Sequence, residues 1–367
     1  MKIAQVCPYD FTRHGGVKTH ILQLASALRK QGHEVKIIAP KTTAADSEED
    51  VYFFGKNMSL GFGGTKIDMN VCLGNERRRL ITFLESEQFD VIHYHTIWNP
   101  VLPFQVLRFS KARNVATFHD TPGKGFIPQF LGRWVMPLVA RVVFRKLHGI
   151  ISVSPSQAAY ISRFSNRAIT IIPNGIDVEA VTGNSLSDLK DGKRTILFLG
   201  RLEPRKGIME ALAVFKKLSE KHSDIRLIVA GTGDMLAQAQ AFVADHEMAH
   251  VLFVGSVSDQ EKWNLFATAD LYIAPALYGE SFGIVLLEAM AAGVPMAGYG
   301  NEGYLNILSK EQVAYFAKPG DTAALVQHFD ALLTSPALRD RLILHGKERA
   351  LSYDWQHLSR DILKVYG

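Results

Sequence analysis

Short apolar runs alternate with segments of helical periodicity along the first half of the chain. Runs typical of buried strands occupy residues 2–7, 34–39, 90–95, 114–119, 149–153 and 168–172. Amphipathic helices are predicted at 17–30 and 75–87, and a helical region is predicted near 126–147. Strands separated by helices are typical of a parallel sheet that is covered on both faces.

The same alternation restarts in the second half. Apolar strands are predicted at 195–200, 225–231, 251–255 and 271–275, and each is followed by a helical pattern. The tail from residue 353 onward has the pattern of one more helix. We therefore expect a first domain at 1–172, a second domain at 173–352, and a helix at 353–367 that returns to the first domain.

Two segments of the first half show neither period. Residues 41–50 are polar and acidic, which predicts a solvated loop. Residues 55–66 are rich in glycine, which predicts a flexible segment.

Composition narrows the class of protein. The 367 residues are 47% apolar and 21% charged, as in soluble globular proteins with an ample core. The formal net charge is +5 and the cations are spread along the chain, which favours anionic ligands or an anionic membrane surface. No nucleic-acid-binding motif accompanies this charge, so nucleic acid is not expected as a partner.

The cysteines and the N-terminus bear on the compartment. Cys7 and Cys72 are the only cysteines, and their spacing fits neither a disulfide framework nor a zinc site. The first residues read as a strand rather than a signal peptide, and no apolar stretch reaches membrane-spanning length. These features predict a cytoplasmic protein.

Two carboxylates lie eight residues apart, one in the turn after a predicted strand and one in the helix that follows. After the strand at 271–275, Glu280 stands just before a helix that is predicted to begin near Ser281, and Glu288 lies about two turns into it. At 1.5 Å per residue the span is roughly 12 Å, which suits a sugar at one end of a diphosphate and a ribose at the other. The span is too long for the carboxylate pair of a glycoside hydrolase, which needs about 5–9.5 Å.

Cations and glycines follow other predicted strands. Arg201 comes directly after the strand at 195–200, and Lys206 opens the next helix, so both can hold a diphosphate. Gly15 and Gly16 follow the first strand, where glycine lets the backbone approach a ligand closely.

The glycine pattern of dinucleotide sites is absent, which disfavours a dinucleotide cofactor. The chain also lacks an Asp-x-Asp pair at a strand end and a Gly-x-Ser-x-Gly motif, so neither a metal-bound diphosphate nor a serine hydrolase is expected.

Several motifs together resemble those of the retaining glycosyltransferases of family 4. They are Gly15-Gly16-Val17, the strand end Ala116–His119, Pro173-Asn174-Gly175, Gly200-Arg201 followed by Lys206-Gly207, Glu280 followed by Glu288, and Ala289–Gly293. Within that family the chain is most similar to the bacterial phosphatidylinositol mannosyltransferases. The resemblance implies the GT-B architecture, in which two Rossmann-like, doubly wound parallel-sheet α/β domains face a central cleft. The two domains are then expected to close on the donor.

The resemblance also implies residue roles. Arg201 and Lys206 would neutralise the leaving diphosphate, while His119 and Glu280 would face the transferred sugar. Donor contacts are implied for Gly16, Asn174, Val257, Ser281, Phe282, Gly283, Ile284 and Glu288, with Glu288 on the ribose. Acceptor contacts are expected from Tyr9 and Lys124. Neither a metal nor a cofactor is expected, since the nucleotide diphosphate sugar is itself a substrate.

The resemblance favours mannose, carried on GDP, as the transferred group, with a lipid hydroxyl such as that of phosphatidylinositol as acceptor. Two positions depart from the pattern: Asp120 replaces a small hydroxyl residue, and Ser258 replaces an aspartate in the base-binding loop. Asp259 is the alternative carboxylate for guanine. Three alternatives stay open: a UDP-sugar donor with another lipid, polysaccharide or small-molecule acceptor, a nucleotide-sugar epimerase, and a non-catalytic basic binding protein.

A cationic helix is the first candidate for membrane contact, and the segment Arg133–Lys146 is a second. Arg77, Arg78 and Arg79 stand beside apolar residues in the helix predicted at 75–87, as in interfacial helices. An ordinary half-buried surface helix is the alternative. Peripheral association with the inner face of the cell membrane is therefore the second expectation for location.

Overall fold

The computed structural model describes residues 1–8, 11, 16–40, 50–62, 65–97, 101–119, 136–186, 189, 191–280 and 282–367. For residues 56–62, 65–70 and 136–139 it describes the backbone alone. The chain divides into two compact units. The first comprises Met1–Gly175 and Trp355–Gly367, and the second comprises Ile176–Asp354. The sequence pattern had suggested divisions after residues 172 and 352.

The described part of the first unit is built on a parallel sheet of seven strands in the order β3-β2-β1-β6-β7-β8-β9. The strands are β1 Lys2–Val6, β2 Glu34–Pro40, β3 Val51–Phe54, β6 Val91–His95, β7 Arg113–Phe118, β8 Gly149–Ser152 and β9 Thr170–Ile171. The helices between them are α1 Gly16–Lys30, α2 Gly74–Glu87, α3 Leu102–Phe109, α4 Met136–Lys146 and α5 Pro155–Ile161.

A hairpin replaces the flexible segment expected at 55–66, so that expectation is wrong. Strands β4 Lys56–Phe62 and β5 Thr65–Val71 pair antiparallel over their whole lengths. Apolar residues alternate with polar ones or glycine in both, from Met58 to Phe62 and from Ile67 to Val71. That two-residue period is the signature of a strand, and the glycines obscured it. Most of the loop expected at 41–50 lies outside the described residues.

The second unit, over its described residues, has a parallel sheet of six strands in the order β12-β11-β10-β13-β14-β15. The strands are β10 Arg194–Leu199, β11 Ile225–Ala230, β12 Val251–Gly255, β13 Leu271–Ala274, β14 Met296–Tyr299 and β15 Phe316–Ala317. The helices are α6 Ile208–Ser219, α7 Leu236–Asp245, α8 Asp259–Thr268, α9 Ile284–Ala291, α10 Glu302–Leu305, α11 Lys310–Val313, α12 Thr322–Thr334 and α13 Pro336–Leu351. This is the doubly wound order of a nucleotide-binding sheet.

The last helix of the chain, α14 Trp355–Tyr366, belongs to the first unit. Its apolar face buries Trp355, Leu358, Ile362 and Tyr366 in the same core cluster as the buried face of α1. Four apolar side chains at helical spacing explain why this segment is a helix and why it packs on that face.

Candidate functional site

The second unit carries a candidate site where the strand order of its sheet reverses. β10 and β13 are hydrogen-bonded neighbours at that point. Ligands of doubly wound sheets bind outside the carboxyl ends of the strands at such a reversal. The segments after these strands, 200–207 and 275–283, are joined there by a 2.9 Å hydrogen bond from the Leu277 amide to the Arg205 carbonyl.

Among the described residues, no side chain caps the helices that follow β10 and β13. Gly207 precedes α6 at φ 76° and Gly283 precedes α9 at φ 97°. By contrast, the side chains of Ser258 and Asn301 cap α8 and α10. The first amides of α6 and α9 are therefore left for an outside acceptor, as at phosphate-binding helix ends.

Two carboxylates and three cations form one network at this edge of the sheet. Lys206 Nζ lies 2.5 Å from Glu280 Oε1, and an Arg205 guanidinium nitrogen lies 3.0 Å from the same oxygen. Arg201 and Arg205 each contact Glu203, at 2.5 and 2.9 Å. The fold thus brings three of the four predicted catalytic residues into one network.

The side chains of this network differ in how much of each is exposed to solvent. The Arg201 side chain is 63% exposed, whereas Lys206 is 20% and Glu280 only 9% exposed. The Glu280 side chain is therefore mostly shielded from solvent beside Arg205 and Lys206, whereas the Arg201 guanidinium is accessible to a ligand from solvent.

Arg205 is a member that the sequence pattern did not single out. Besides both carboxylates, it binds the Gly279 carbonyl at 3.2 Å, so it fixes the turn that presents Glu280. Its signal was its place between Pro204 and Lys206, in a loop already predicted to be cationic.

The turn also depends on glycine where two segments come close. A Cβ on Gly303 would overlap the Glu280 carbonyl, and a Cβ on Gly207 would overlap the Pro275 carbonyl. The backbone on either side of the Glu280 turn is therefore too closely packed to admit a side chain at either glycine.

Glu288 lies on α9 and is buried in an ion pair. Its Oε1 accepts from Lys262 Nζ at 2.7 Å, and the same ammonium contacts Asp259 at 3.0 Å. Burial raises the pKa of the Glu288 carboxyl, against the opposing effect of the Lys262 ammonium. Burial alone would lower the pKa of Lys262, but the Glu288 and Asp259 carboxylates raise it above its ordinary value. Lys262, which the sequence did not indicate, therefore keeps its charge and orients Glu288.

Ser258 has a local structural role in the predicted base loop. Its hydroxyl accepts from the Glu261 amide, and the Glu261 carboxylate accepts from the Ser258 amide at 2.7 Å, which forms a complete capping box. A capping serine here explains the departure from aspartate in terms of helix stability. Asp259 has an 85% exposed side chain and already contacts Lys262.

The remaining predicted donor residues of this unit differ in position. Val257 and Ile284 are half-buried against the core, and Phe282 is buried in it, with its ring 5.8 Å from that of Tyr353. The Phe282 side chain is therefore committed to packing, and any ligand contact falls to its backbone. Helix α9 begins at Ile284, three residues later than the sequence suggested, because Gly283 is its cap.

The first unit has its own reversal of strand order, between β1 and β6. Gly16 is the exposed first residue of α1, the helix that follows β1 in sequence. His119 comes directly after β7 and is only 7% exposed. Asn174, buried, lies at the end of the unit's main segment.

His119 is part of a buried network. His119 Nε2 lies 3.1 Å from His95 Nδ1, and His95 Nε2 lies 3.1 Å from Gln5 Oε1. Asn174 Oδ1 accepts from His20 Nδ1 at 2.8 Å. Because the Gln5 oxygen only accepts, the His95 proton sits on Nε2, and His119 Nε2 donates to His95 Nδ1. His95 therefore orients His119.

Burial keeps these imidazoles neutral. It lowers the pKa of His119 to about 4, against the effect of a hydrogen bond with Asn174. It lowers the pKa of His93 to about 3, and His93 is held by Tyr366 and Thr117 at 2.7 Å each. His119 can therefore meet a sugar as an uncharged hydrogen-bonding group.

Three predicted site residues, Tyr9, Lys124 and Ser281, lie outside the described residues, as does Asp120. The predicted membrane-contact residues lie on α2, and all three are exposed. Arg77 stacks over Phe109 at 5.2 Å, and Arg79 binds Glu76 and the Phe53 carbonyl. Among the described helices, none is long and apolar enough to cross a membrane.

Models of two glycosyltransferase families match the two halves of the chain. The model of the family "Glycosyl transferases group 1" matches residues 186–349, and that of "Glycosyltransferase Family 4" matches residues 14–180. A phosphatidyl-myo-inositol mannosyltransferase of Mycobacterium leprae (strain TN) is 33% identical over 374 residues, which cover 100% of this chain and 96% of that protein.

Solved structures match over nearly full length. A glycosyltransferase from Rickettsia africae ESF-5 superposes with a TM-score of 0.77 at 16% identity, covering 100% of this chain and 97% of the other. Anabaena Alr3699/HepE in complex with UDP gives a TM-score of 0.77 at 16% identity, covering 99% of each chain. At this identity the likeness concerns the fold, which is GT-B. The chain belongs to glycosyltransferase family 4, and it is a glycosyltransferase.

Proposed function

We propose that the protein transfers mannose from GDP-mannose to a hydroxyl of phosphatidylinositol, with retention of the anomeric configuration. The observation that carries the proposal is the contact of Lys206 with Glu280 beside Arg201, which joins cations for a diphosphate to a carboxylate for sugar hydroxyls. The Mycobacterium leprae relative, named as a phosphatidyl-myo-inositol mannosyltransferase, supports the choice of sugar and acceptor.

The cations and helix ends would act on the leaving group. As the bond from the anomeric carbon to the phosphate oxygen breaks, negative charge grows on the diphosphate. Arg201, Lys206 and the uncapped amides of α9 are preorganised to stabilise that charge. No reorganisation of solvent is then needed at the moment of reaction.

The acceptor would attack from the face that the diphosphate leaves. Glu280 is tied to Arg205 and Lys206, so its oxygens serve better as acceptors for sugar hydroxyls than as a nucleophile. The new bond forms between the acceptor oxygen and the anomeric carbon, and the acceptor proton passes to the departing phosphate oxygen. GDP and the mannosylated acceptor leave, and the configuration is retained.

The same charge arrangement supports a reaction without a divalent metal. Two cationic side chains and a helix N-terminus supply the neutralisation that a bound metal ion supplies in other enzymes. We therefore propose no metal cofactor for the transfer.

A UDP-sugar donor is the second candidate. Ser258 serves as a helix cap in the base loop where a carboxylate would select guanine, and Anabaena HepE is described as a complex with UDP. Asp259 retains a carboxylate one residue further on, which favours guanine.

The lipid acceptor would be reached by peripheral membrane contact. Arg78 and its neighbours on α2 are exposed cations on a helix that buries Leu80 and Leu84. Such a surface suits anionic phospholipid headgroups, and the enzyme would work at the cytoplasmic face of the membrane.

A donor panel followed by product analysis tests the proposal. Thermal unfolding is measured with GDP, UDP, ADP and the matching sugar nucleotides, and we expect the largest stabilisation from GDP-mannose. The enzyme is then incubated with GDP-mannose and either phosphatidylinositol or phosphatidylglycerol vesicles. We expect one added hexose on phosphatidylinositol by mass spectrometry and an α-linkage by NMR. Transfer from UDP-sugars alone would favour the second candidate, and free sugar without acceptor product would favour an epimerase.

A further inference from the structure

Three histidines of the first unit meet in its interior, although they come from separate elements. His20 lies on α1, His95 ends β6, and His119 follows β7. One ring nitrogen of each lies within 4.8 Å of the others, and all three residues are buried. Their ring centroids are 4.5 to 5.3 Å apart.

Side-chain amides hold the outer nitrogens of two of these rings. His20 Nδ1 donates to the Asn174 oxygen at 2.8 Å, and His95 Nε2 donates to the Gln5 oxygen at 3.1 Å. Since an amide oxygen only accepts, the inner nitrogens, His20 Nε2 and His95 Nδ1, carry lone pairs. Metal-binding histidines are oriented in this manner, with the far N–H donated to a fixed acceptor.

The inner nitrogen of His20 has no hydrogen-bond partner among the described residues, although its residue is only 2% exposed. A buried lone pair without a donor is costly. The lone pair of His20 Nε2 therefore suggests a bound partner other than a described side chain.

We propose that His20, His95 and His119 form a binding site for a divalent transition-metal ion, with His20 Nε2, His95 Nδ1 and His119 Nε2 as ligands. Three imidazoles without a carboxylate suit Zn²⁺, Co²⁺, Ni²⁺ or Cu²⁺ rather than Mg²⁺ or Ca²⁺, which take oxygen ligands. No acidic residue joins the cluster within the described part of the chain.

The distances allow the site to close. Zn–N bonds of about 2.0–2.1 Å in a tetrahedral site place the ligand nitrogens roughly 3.3 Å apart. His95 and His119 already meet this at 3.1 Å. One ring nitrogen of each histidine lies within 4.8 Å of the others, so a shift of roughly 1.5 Å at most closes the set, and His20 Nε2 has no hydrogen bond with a described residue to break. The fourth position remains for water.

Occupation of the site would oppose the reaction. The ion takes His119 Nε2, so that hydrogen bond to His95 is lost and the His119 proton moves to Nδ1. This consequence rests on the proposed function, in which His119 faces the transferred sugar. The ion is thus an inhibitor of transfer and not its cofactor.

The test is a titration of chelator-stripped, full-length protein with Co²⁺, followed by visible absorption. The key variant is His20→Asn, because an asparagine amide can replace Nδ1 as donor to Asn174 while removing Nε2. The control is His250→Asn, which deletes an exposed imidazole of the second unit. Thermal unfolding followed by circular dichroism verifies that each variant is folded.

We expect tetrahedral Co²⁺ bands at one ion per chain in the wild type and in His250→Asn, with displacement by Zn²⁺. Affinity should fall by at least about 100-fold in His20→Asn, since loss of a ligand exceeds the 10–100-fold effect of losing its supporting partner. Equal affinity in wild type and His20→Asn would overturn the proposal, as would the absence of tetrahedral bands in the wild type.

A measurement on the wild type alone covers the case in which His20→Asn does not fold. Imidazole ¹⁵N resonances are recorded with and without Zn²⁺. We expect shifts at His20, His95 and His119, and unchanged resonances at His93, whose nitrogens already bind Tyr366 and Thr117. Unshifted resonances at the three ligands would refute the site.

An activity assay separates this inference from the proposed function. Zn²⁺ should inhibit transfer in the wild type and in His250→Asn alike. A protein that binds Co²⁺ tetrahedrally but transfers no sugar would refute the proposed function and keep the site. A protein that transfers mannose but shows no tetrahedral Co²⁺ bands would refute the metal site and keep the proposed function.

Discussion

At the scale of single residues, the candidate donor site separates groups that hold the turn from groups left for a ligand. Arg205 contacts Glu203, Glu280 and the Gly279 carbonyl, so it is committed to structure. Arg201 has a single described ion pair, with Glu203, and a 63% exposed side chain. An exposed guanidinium can form new contacts with a ligand, and contacts that are stronger in the transition state than in the ground state accelerate the reaction.

Arg201→Ala and Lys206→Ala should each lower kcat by about 10²–10³-fold while the fold persists, because each removes preorganised charge from the leaving diphosphate. Arg201→Ala should cost at most about 1 kcal/mol of stability, as an exposed ion pair does. Steady-state kinetics and thermal unfolding measure the two effects. Near-normal turnover in both folded variants would contradict the phosphate assignment.

The buried pair of Lys262 and Glu288 gives a stability prediction with a pH dependence. Lys262→Met should lower the free energy of unfolding by about 3–5 kcal/mol near neutral pH, because Glu288 is left buried without its cation. Burial raises the pKa of Glu288 in the folded state above its unfolded value. The carboxyl then binds its proton more tightly when folded, so this contribution to stability is present at low pH and is lost as pH rises. In Lys262→Met the ammonium no longer opposes this rise, so the pKa of Glu288 lies further above its unfolded value than in the wild type, and the deficit should be larger at pH 8 than at pH 5.

Urea unfolding of two further variants tests that reasoning. Lys262→Met with Glu288→Leu should recover most of the loss, because no uncompensated charge remains. Lys221→Met removes an exposed partner, 59% exposed and 3.7 Å from Asp330, and should cost at most about 1 kcal/mol. Equal losses in Lys221→Met and Lys262→Met would show that burial of the pair is not what matters.

At the scale of elements, glycine controls the approach of the two site segments. Gly207→Ala should disturb the site because its Cβ would overlap the Pro275 carbonyl at a residue with φ 76°. Gly192→Ala is the matched control, since Gly192 has φ 83° but no atom of a described residue lies within 4 Å of the added Cβ. Both carry the cost of a left-handed alanine, about 1–2 kcal/mol. We expect Gly207→Ala to lose stability beyond that and to bind donor at least about tenfold more weakly, as thermal unfolding and calorimetric titration will measure. Identical behaviour of the two variants would refute the close-approach argument.

Strongly periodic elements could be predicted from the sequence because packing and local pattern agree there. The strands at Val251–Gly255 and Glu34–Pro40 and the helix Gly74–Glu87 differ from their predicted bounds by a residue at most. The short strands Met296–Tyr299 and Phe316–Ala317 were not predicted, because four or two residues carry no usable period.

The site residues also divide into those that could be predicted from the sequence and those that could not. Arg201, Lys206 and Glu280 could be found because each follows a predicted strand in a recognisable motif. The histidine cluster could not, since His20, His95 and His119 lie 75 and 24 positions apart in sequence (95 − 20 and 119 − 95) and meet only through the sheet order. Lys262 was likewise hidden, because its partner Glu288 lies on another helix.

At the scale of the whole molecule, the proposed chemistry makes an expectation about metal removal. Transfer should keep essentially full activity in excess chelator, because protein cations and helix amides neutralise the diphosphate. The proposed three-histidine site sharpens the expectation, since removal of an inhibitory ion can raise the rate but not lower it. Activity assays before and after dialysis against EDTA measure this, with thermal unfolding as the check on folding. Loss of activity that added Mg²⁺ or Mn²⁺ restores would contradict the metal-free mechanism.

Two explanations of membrane adsorption can be distinguished. Either the net charge of +5 attracts the whole protein to an anionic surface, or the cations of one helix make the contact. Arg78 on α2 and Arg360 on α14 are both exposed, and replacing either by glutamate lowers the net charge to +3, since 5 − 2 = 3. If α2 contacts the membrane, Arg78→Glu should weaken binding to phosphatidylinositol-containing anionic vesicles by roughly 30-fold, because it changes the charge by two units at about 1 kcal/mol for each unit near the surface. Arg360→Glu should bind like the wild type, and raised salt should reduce the difference between the two variants, because surface charges are screened. Vesicle sedimentation at two salt concentrations measures both effects. Equal loss in the two variants would mean that net charge rather than helix α2 governs adsorption, and the membrane-contact role of the three arginines would fall.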